Sequence, residues 1–272
     1  MIPKIIHYTW FSGDEYPEMI KKCIESWKKV LPDYELRLWD MDAIKNIDSI
    51  FLKEALSVKK WAYAADFVRL YVLYHEGGIY LDTDVMVFKS FDNLLDNQVF
   101  IGKEDYMHFA GDGSNGAQYL SSHCIGAVKK SEYIRECLSY YDNRHFILSS
   151  NMELPPCLRY NYVLLPYIQA IIAQKYGYRW NPKIQEVQTL NNGVVVYPSD
   201  WFCGFSNFDE SYCAHLTLGS WRENYQSTII NNSLKYRLIK KFKRLIRRIF
   251  LKTPYMLMRL SIFEKPNQTI KL

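Results

Sequence analysis

Apolar and polar positions along the chain fall into short runs that switch between strand and helix spacing. Lys4–Trp10 gathers Ile5, Ile6, Tyr8 and Trp10 and predicts a first strand. Over Pro17–Val30, Ile20, Cys23 or Ile24, and Trp27 recur on one face, and Pro17 suits a first turn, so this stretch predicts an amphipathic helix. Pro32-Asp33 breaks it, and Tyr34–Trp39 alternates as a second strand. Ala43–Lys60 reads as helix with a break near Asp48. From Trp61 the helical spacing continues with no Gly or Pro until Gly77-Gly78, which can take the left-handed cap conformation at little cost. Ile79-Tyr80-Leu81 and Val85–Phe88 are two short apolar strands. Further on, the pattern predicts a short helix over Asp92–Asp96 and a strand over Val99–Gly102. A short apolar segment at Cys124–Val128 precedes a helix over Ser131–Tyr141, and Pro166–Tyr176 predicts another, ended by Gly177. Val194–Tyr197 predicts a buried strand. Glu104–Tyr119 is polar, glycine-rich and aperiodic, and is expected to be a mobile surface loop placed to face an acceptor.

Between the two short strands sits Asp82-Thr83-Asp84. Two carboxylates between buried strand segments are costly unless something compensates them, and a divalent cation does so. Oxygen donors suit Mg²⁺ or Mn²⁺, and Mg²⁺ is held by one or two carboxylates together with substrate phosphates. A sugar nucleotide carries such a diphosphate. The plainer reading of the tripeptide is a solvated turn. Asp66 and Arg69, spaced i, i+3, share one face of the helix that leads into this turn. The plainer reading of that pair is an intrahelical ion pair worth a few tenths of a kcal/mol.

The ordered set Ala62, Asp66, Arg69, Leu73, Tyr74, Gly77, Gly78, Tyr80, Asp82 and Asp84 resembles the core signature of family-32 glycosyltransferases. That family has members in bacterial capsule clusters and among yeast initiating mannosyltransferases, and the large clostridial glucosylating toxins share a similar core. Three more segments are similar to the family: the opening I-P-K-I-I-H-Y-T-W, the stretch Trp27–Asp40, and Tyr197–Phe202. So is Y-C-A-H-L-T-L-G-S-W at Tyr212–Trp221, except that Leu216 stands where the family has a second His. The resemblance covers about residues 2–221. It implies an α/β fold of the GT-A type, Rossmann-like with a mixed central sheet. It also implies metal-dependent transfer of a hexose from a nucleotide sugar, UDP-linked ahead of GDP-linked, to a glycan or lipid-linked saccharide, with retention at the anomeric carbon, as in capsule or surface polysaccharide synthesis.

Residue by residue, the resemblance places Asp84 and His215 on Mn²⁺ or Mg²⁺, and Asp82 on the donor ribose or on the metal, directly or through water. It makes Asp66, Arg69, Asp82 and Asp84 the catalytic set, with Asp66 and Arg69 on donor-sugar hydroxyls. Donor contacts are implied at His7, Thr9, Trp10, Tyr80 and Thr83, and Gly219, Ser220 and Trp221 are placed near the diphosphate. Trp10 can equally be a core aromatic, His215 a packed core histidine, and Asp40 a helix cap. For the retaining chemistry Asp200 is a candidate nucleophile, and front-face attack assisted by the leaving phosphate is the alternative.

Composition adds a division of the chain. At 272 residues with 49% hydrophobic and 16% aromatic content, one globular domain is expected rather than disorder. No run of about 18 uncharged apolar residues is present, and the start lacks signal-peptide features, so a cytoplasmic protein is expected. Six cysteines form no C-x-x-C pair and read as free thiols. The net charge of +5 is uneven: residues 233–272 hold twelve Lys and Arg against one acid, Glu264, which leaves 22 bases and 28 acids in residues 1–232. The division expected is therefore a catalytic domain over 1–232 and a basic amphipathic tail over 233–272. Within the tail Leu234, Leu238, Phe242, Leu245 and Ile249 form an apolar stripe among the basic residues, the pattern of a helix lying on an anionic membrane surface through residues 233–252. A peripheral position at the inner face of the plasma membrane follows from that reading. Two other functions compete with it: a toxin-like effector that glucosylates protein, and a nucleic-acid-binding protein resting on the basic tail. The stripe argues against nucleic acid as a partner.

Overall fold

The computed structural model describes residues 1–104, 119–179, 186–203 and 211–216. The predicted glycine-rich loop, the Gly219–Trp221 motif and the basic tail lie wholly or almost wholly outside them. In chain order the elements are β1 (Ile5–Thr9), α1 (Glu18–Val30), β2 (Glu35–Trp39), α2 (Ile50–Ser57), α3 (Trp61–Glu76), β3 (Gly78–Leu81) and β4 (Val85–Val87). They continue as β5 (Val99–Lys103), β6 (Leu120–Ala127), α4 (Glu132–Ser139), α5 (Pro156–Arg159), α6 (Leu165–Lys175), β7 (Gln188–Thr189), β8 (Val194–Tyr197) and β9 (Cys213–His215). Short 3-10 turns sit at Asp92–Leu94 and Ser199–Trp201.

Seven strands form a mixed sheet in the order β2-β1-β3-β6-β5-β8-β7. β1 runs parallel to both β2 and β3, while β3 and β5 each pair antiparallel with β6. This is the mixed α/β sheet expected. β3 alternates strictly between two apolar layers. Tyr80 packs with α3, α4 and α6 in one cluster, while Ile79 and Leu81 pack with α1 and β4 in the other. Both faces of the sheet are therefore covered, and its functional groups must leave from strand ends. Because β1 lies between β2 and β3, the chain departs from β1 in both directions, and the carboxyl ends of β1 and β3 mark the switch point at which such sheets form a ligand crevice.

α3 is the element that aims side chains at that crevice. Its last turn closes when the Gly77 N–H donates to the Leu73 carbonyl. Gly77 and Gly78 then take φ of +74° and +106°. At Gly78 a Cβ would lie 2.8 Å from the Ile5 carbonyl oxygen and 3.0 Å from His7 Nε2, so only glycine lets α3 turn straight into β3 against β1. The expected break near Asp48 is real: turns cover 41–46, and α2 starts at Ile50 with the Ser49 hydroxyl capping the Leu52 N–H. All six cysteines are free, and five are buried. Among the described residues no helix is long and apolar enough to cross a membrane.

Candidate active site

The Asp82-Thr83-Asp84 turn leaves β3 at its carboxyl end. The Asp82 N–H donates to the His123 carbonyl (2.9 Å), and the Val85 N–H closes the turn on the Asp82 carbonyl (3.0 Å). β4 then forms a separate two-stranded ribbon with β9, in which Val85 faces His215. The Leu216 N–H donates to the Asp84 carbonyl (3.0 Å), so the ribbon reaches one residue past β9. α1 holds the other side: the Trp27 indole N–H donates to the Val85 carbonyl (2.7 Å) and the Ser26 hydroxyl accepts from the Val87 N–H (3.0 Å). The outcome is that His215, 131 positions downstream of Asp84 in the sequence, places Nε2 at 3.1 Å from an Asp84 carboxylate oxygen. One ligand atom from each of Asp82, Asp84 and His215 lies within 4.8 Å of the other two. Two carboxylates and an imidazole, each only partly exposed, make a donor set that fits a divalent cation of the Mn²⁺ or Mg²⁺ kind and leaves a side open for substrate oxygens.

Arg69 ties this turn to α3. Its side chain is 4% exposed, and one terminal nitrogen donates to Asp82 (2.8 Å) while lying 3.3 Å from Asp66. The other donates to the Ser122 carbonyl. The guanidinium lies over the Tyr80 ring at 4.5 Å. Asp66 and Arg69 are thus more than an intrahelical ion pair, because the arginine bridges two carboxylates from different elements. Arg69 Nε is buried with no hydrogen-bond partner among the described residues.

Burial sets the local electrostatics. It pushes the Asp66 carboxyl up to about 7, against the pull of Arg69 in the other direction. Burial raises Asp82 as well, and Arg69 and His215 hold it back. At His215 burial favours the neutral imidazole, but Asp84, with Asp82 and Glu104 behind it, outweighs this and lifts the group to about 9. The imidazole of His123, stacked on His215 at 4.4 Å between ring centroids, goes the other way: burial and the His215 charge push it down to about 3.

The predicted residues separate into three groups. Asp66, Arg69, Asp82, Thr83, Asp84 and His215 come together at the end of β3 and in the β4–β9 ribbon. Thr9 and Trp10 lie at the carboxyl end of β1, with the Thr9 hydroxyl 3.0 Å from the Tyr80 hydroxyl and the Trp10 indole donating to the Asp14 carbonyl. His7 and Tyr80 do not face the crevice. His7 is 0% exposed, with Nε2 bonded to the Gly77 carbonyl (2.8 Å) and Nδ1 accepting from the Trp39 indole (3.0 Å). It therefore fastens β1 to the end of α3, and both nitrogens are used within the protein. Tyr80 is 1% exposed, and its ring and hydroxyl support Arg69 and Thr9 from below. The donor contacts expected of His7 and Tyr80 are corrected to supporting roles for this reason. Asp40 caps the following turn, accepting from the Asp42 and Ala43 N–H groups. Asp200 is exposed on the turn after β8. Gly219, Ser220 and Trp221 lie outside the described residues.

Sequence reasoning missed His123, Ser122 and the backbone of Leu165, which hydrogen-bonds to Asp66. Ser121-Ser122-His123 reads as polar and so hides a strand. In β6 these side chains are buried, with the Ser122 hydroxyl donating to Gln169 (2.7 Å) and His123 Nε2 donating to the Phe202 carbonyl (3.0 Å).

An acidic strand end on a mixed α/β sheet, buttressed by an arginine from the preceding helix, has the donor chemistry to hold a divalent cation that would in turn accept phosphate oxygens. Residues 17–101 match the family described as "Glycosyltransferase sugar-binding region containing DXD motif". A relative named "Uncharacterized glycosyltransferase L373", from Acanthamoeba polyphaga mimivirus, is 37% identical over 101 residues, or 35% of this chain and 40% of that protein. "Inositol phosphoceramide mannosyltransferase 3" of Schizosaccharomyces pombe is 39% identical over 98 residues, or 35% of this chain and 27% of that one. "Mannosyl phosphorylinositol ceramide synthase SUR1" of Saccharomyces cerevisiae is 28% identical over 154 residues, or 54% of this chain and 37% of that one. The chain thus spans well under half the length of these relatives. Among solved structures, the PaToxG glycosyltransferase aligns with TM-score 0.44 at 20% identity, covering 64% of this chain and 68% of that one. The galactosyltransferase LgtC, in complex with donor and acceptor sugar analogues, aligns with TM-score 0.30 at 14% identity, covering 46% and 58%.

Proposed function

We propose that the protein transfers a hexose from a nucleotide-sugar donor to a saccharide or lipid-linked acceptor, with retention at the anomeric carbon. The observation that carries this is the convergence of Asp82, Asp84 and His215 on one point, with Asp66 and Arg69 beside them. Asp84 and His215, with Asp82, would hold Mn²⁺ or Mg²⁺, which when bound supplies Lewis-acid neutralisation of the leaving nucleoside diphosphate. Arg69 fixes the directions of the Asp66 and Asp82 carboxylates toward the donor sugar. Asp66 accepts from donor-sugar hydroxyls. Trp10 and Thr9, at the end of β1, border the place for the base. Front-face attack assisted by the leaving phosphate and double displacement through Asp200 are the two routes to retention.

The donor base and sugar follow from trial rather than from the site. UDP-hexoses are the first expectation, and relatives named mannosyltransferases add GDP-mannose. The names of those relatives also support a lipid-linked acceptor. The basic amphipathic pattern of residues 233–252 supports peripheral attachment to an anionic membrane, hence a place at the inner face of the plasma membrane and a role in capsule or surface polysaccharide synthesis. A screen of UDP- and GDP-sugars for Mn²⁺- or Mg²⁺-dependent hydrolysis, followed by transfer to lipid-linked saccharide and to protein, tests the reading. Hydrolysis of one donor class that needs the cation is expected. No cation-dependent turnover of any nucleotide sugar would refute it, and sugar appearing on protein alone would favour the effector reading.

A further inference from the structure

A second group of potential ligands lies behind the first. Glu104 follows β5, His123 is in β6, and Cys203 follows the 3-10 turn after β8, and one ligand atom from each lies within 4.8 Å of the other two. All three are buried, at 6%, 2% and 5% exposure. A Glu104 carboxylate oxygen is 3.9 Å from His123 Nδ1, and Cys203 Sγ is 3.9 Å from His123 Nε2. We propose that Glu104, His123 and Cys203 bind a borderline-soft divalent cation of the zinc type, separate from the Asp82–Asp84–His215 site.

The donor chemistry separates the two sites. The first offers two carboxylates and an imidazole with a side open to substrate, which suits a hard cation that exchanges with its substrate. The second offers one thiolate, one imidazole and one carboxylate in a closed position, and a thiolate selects zinc over Mg²⁺ or Mn²⁺. Its surroundings resemble those of a ligating histidine. The Phe202 carbonyl takes a proton from Nε2, fixing the ring, while Nδ1 faces Glu104 at 3.9 Å and the Ser121 hydroxyl at 3.2 Å, so a cation at Nδ1 displaces the serine hydrogen bond. The ligand spread of up to 4.8 Å is wider by about 1 Å than a tetrahedral set with bonds near 2.0–2.3 Å. Rotation of Cys203 and Glu104 side chains closes that gap. Cys203 Sγ donates to the Lys103 carbonyl at 3.3 Å, so binding requires the thiol to give its proton to solvent and turn from that carbonyl toward His123. The cation would join three segments distant in sequence directly behind His215, since His123 stacks on that ring. Its role is structural: it holds the wall against which His215 is placed.

The test uses the full chain stripped of metal and titrated with Co²⁺, whose thiolate charge-transfer absorption requires a cysteine ligand. The Asp84→Ala variant is titrated in parallel, because a carboxylate–imidazole site contributes no such band. One equivalent of thiolate-bound Co²⁺, displaced by Zn²⁺, is expected in both proteins. The band should vanish in Cys203→Ser, and Glu104→Gln should weaken Co²⁺ binding at least about tenfold. Should Cys203→Ser fail to fold, native mass spectrometry of Asp84→Ala as purified decides the matter, with one zinc per chain expected and none overturning the proposal. A wild-type titration without the band, or a band that survives in folded Cys203→Ser, also overturns it.

Discussion

Replacing Arg69 with Met removes the one cation that bridges Asp66 and Asp82, and keeps most of the side-chain volume over Tyr80. Removing one partner of a buried ionic network costs about 3–5 kcal/mol, because the remaining charge stays uncompensated. Here part of that cost can be relieved by protonation. With Arg69 present, burial already holds Asp66 at about 7, far above the ordinary carboxylate range, so the folded protein binds a proton that the unfolded chain has released. The contribution of Asp66 to stability therefore falls as pH rises from about 4 to 7. In Arg69→Met the lowering influence of the guanidinium is gone, the folded pKa moves above 7, and the same fall continues to higher pH. Each further pH unit adds up to about 1.4 kcal/mol, so between pH 7 and 8.5 the penalty grows by up to about 2 kcal/mol. The expected destabilisation is about 3–5 kcal/mol at pH 8.5 and smaller by about 2 kcal/mol at pH 6. Urea unfolding followed by far-UV circular dichroism at the two pH values measures both. An equal penalty at pH 6 and 8.5, or one below about 1 kcal/mol at pH 8.5, would refute the bridging role.

Asp66→Ala is expected to lower turnover of the sugar nucleotide while leaving affinity for the free nucleoside diphosphate nearly unchanged; equal loss of both, or of neither, contradicts its place on the sugar. Gly78→Ala should destabilise by at least about 2 kcal/mol, read as a fall in Tm, because φ is +106° and the new Cβ meets the Ile5 carbonyl at 2.8 Å. Deleting residues 233–272 should abolish co-sedimentation with anionic liposomes and leave hydrolysis of free donor intact; a truncated chain that still binds those liposomes removes the membrane reading.

The stretch from Asp66 to Asp84 was legible in sequence because its parts are contiguous. A helix without Gly or Pro, two glycines that must take positive φ, and two carboxylates in one turn leave few other arrangements. Depth along a strand was less legible. His7 and Tyr80 are polar residues near the functional end of the sheet, yet strand alternation and the close approach of α3 turn both inward, where hydrogen bonds satisfy them. Of β6, which begins at Leu120, the sequence shows only a short apolar segment from Cys124, since Ser121, Ser122 and His123 conceal the strand that holds them. The partnership of Asp84 with His215 depends on the antiparallel ribbon of β4 and β9, and three-residue strands that start 128 positions apart carry no local pairing signal. Family resemblance supplied His215; the ribbon explains it.

The central claim is that Asp82, Asp84 and His215 hold a divalent cation on which a nucleoside diphosphate depends for binding. Isothermal titration of UDP and of GDP into metal-stripped protein, with and without Mn²⁺, tests it most directly, beside the same titrations of Asp84→Ala. One of the two nucleotides should bind only when Mn²⁺ is present. Asp84→Ala should lose at least about tenfold in that affinity while its Tm stays within about 3 °C of wild type. Nucleotide binding that is indifferent to the cation, or that is undiminished in a folded Asp84→Ala, would contradict the account.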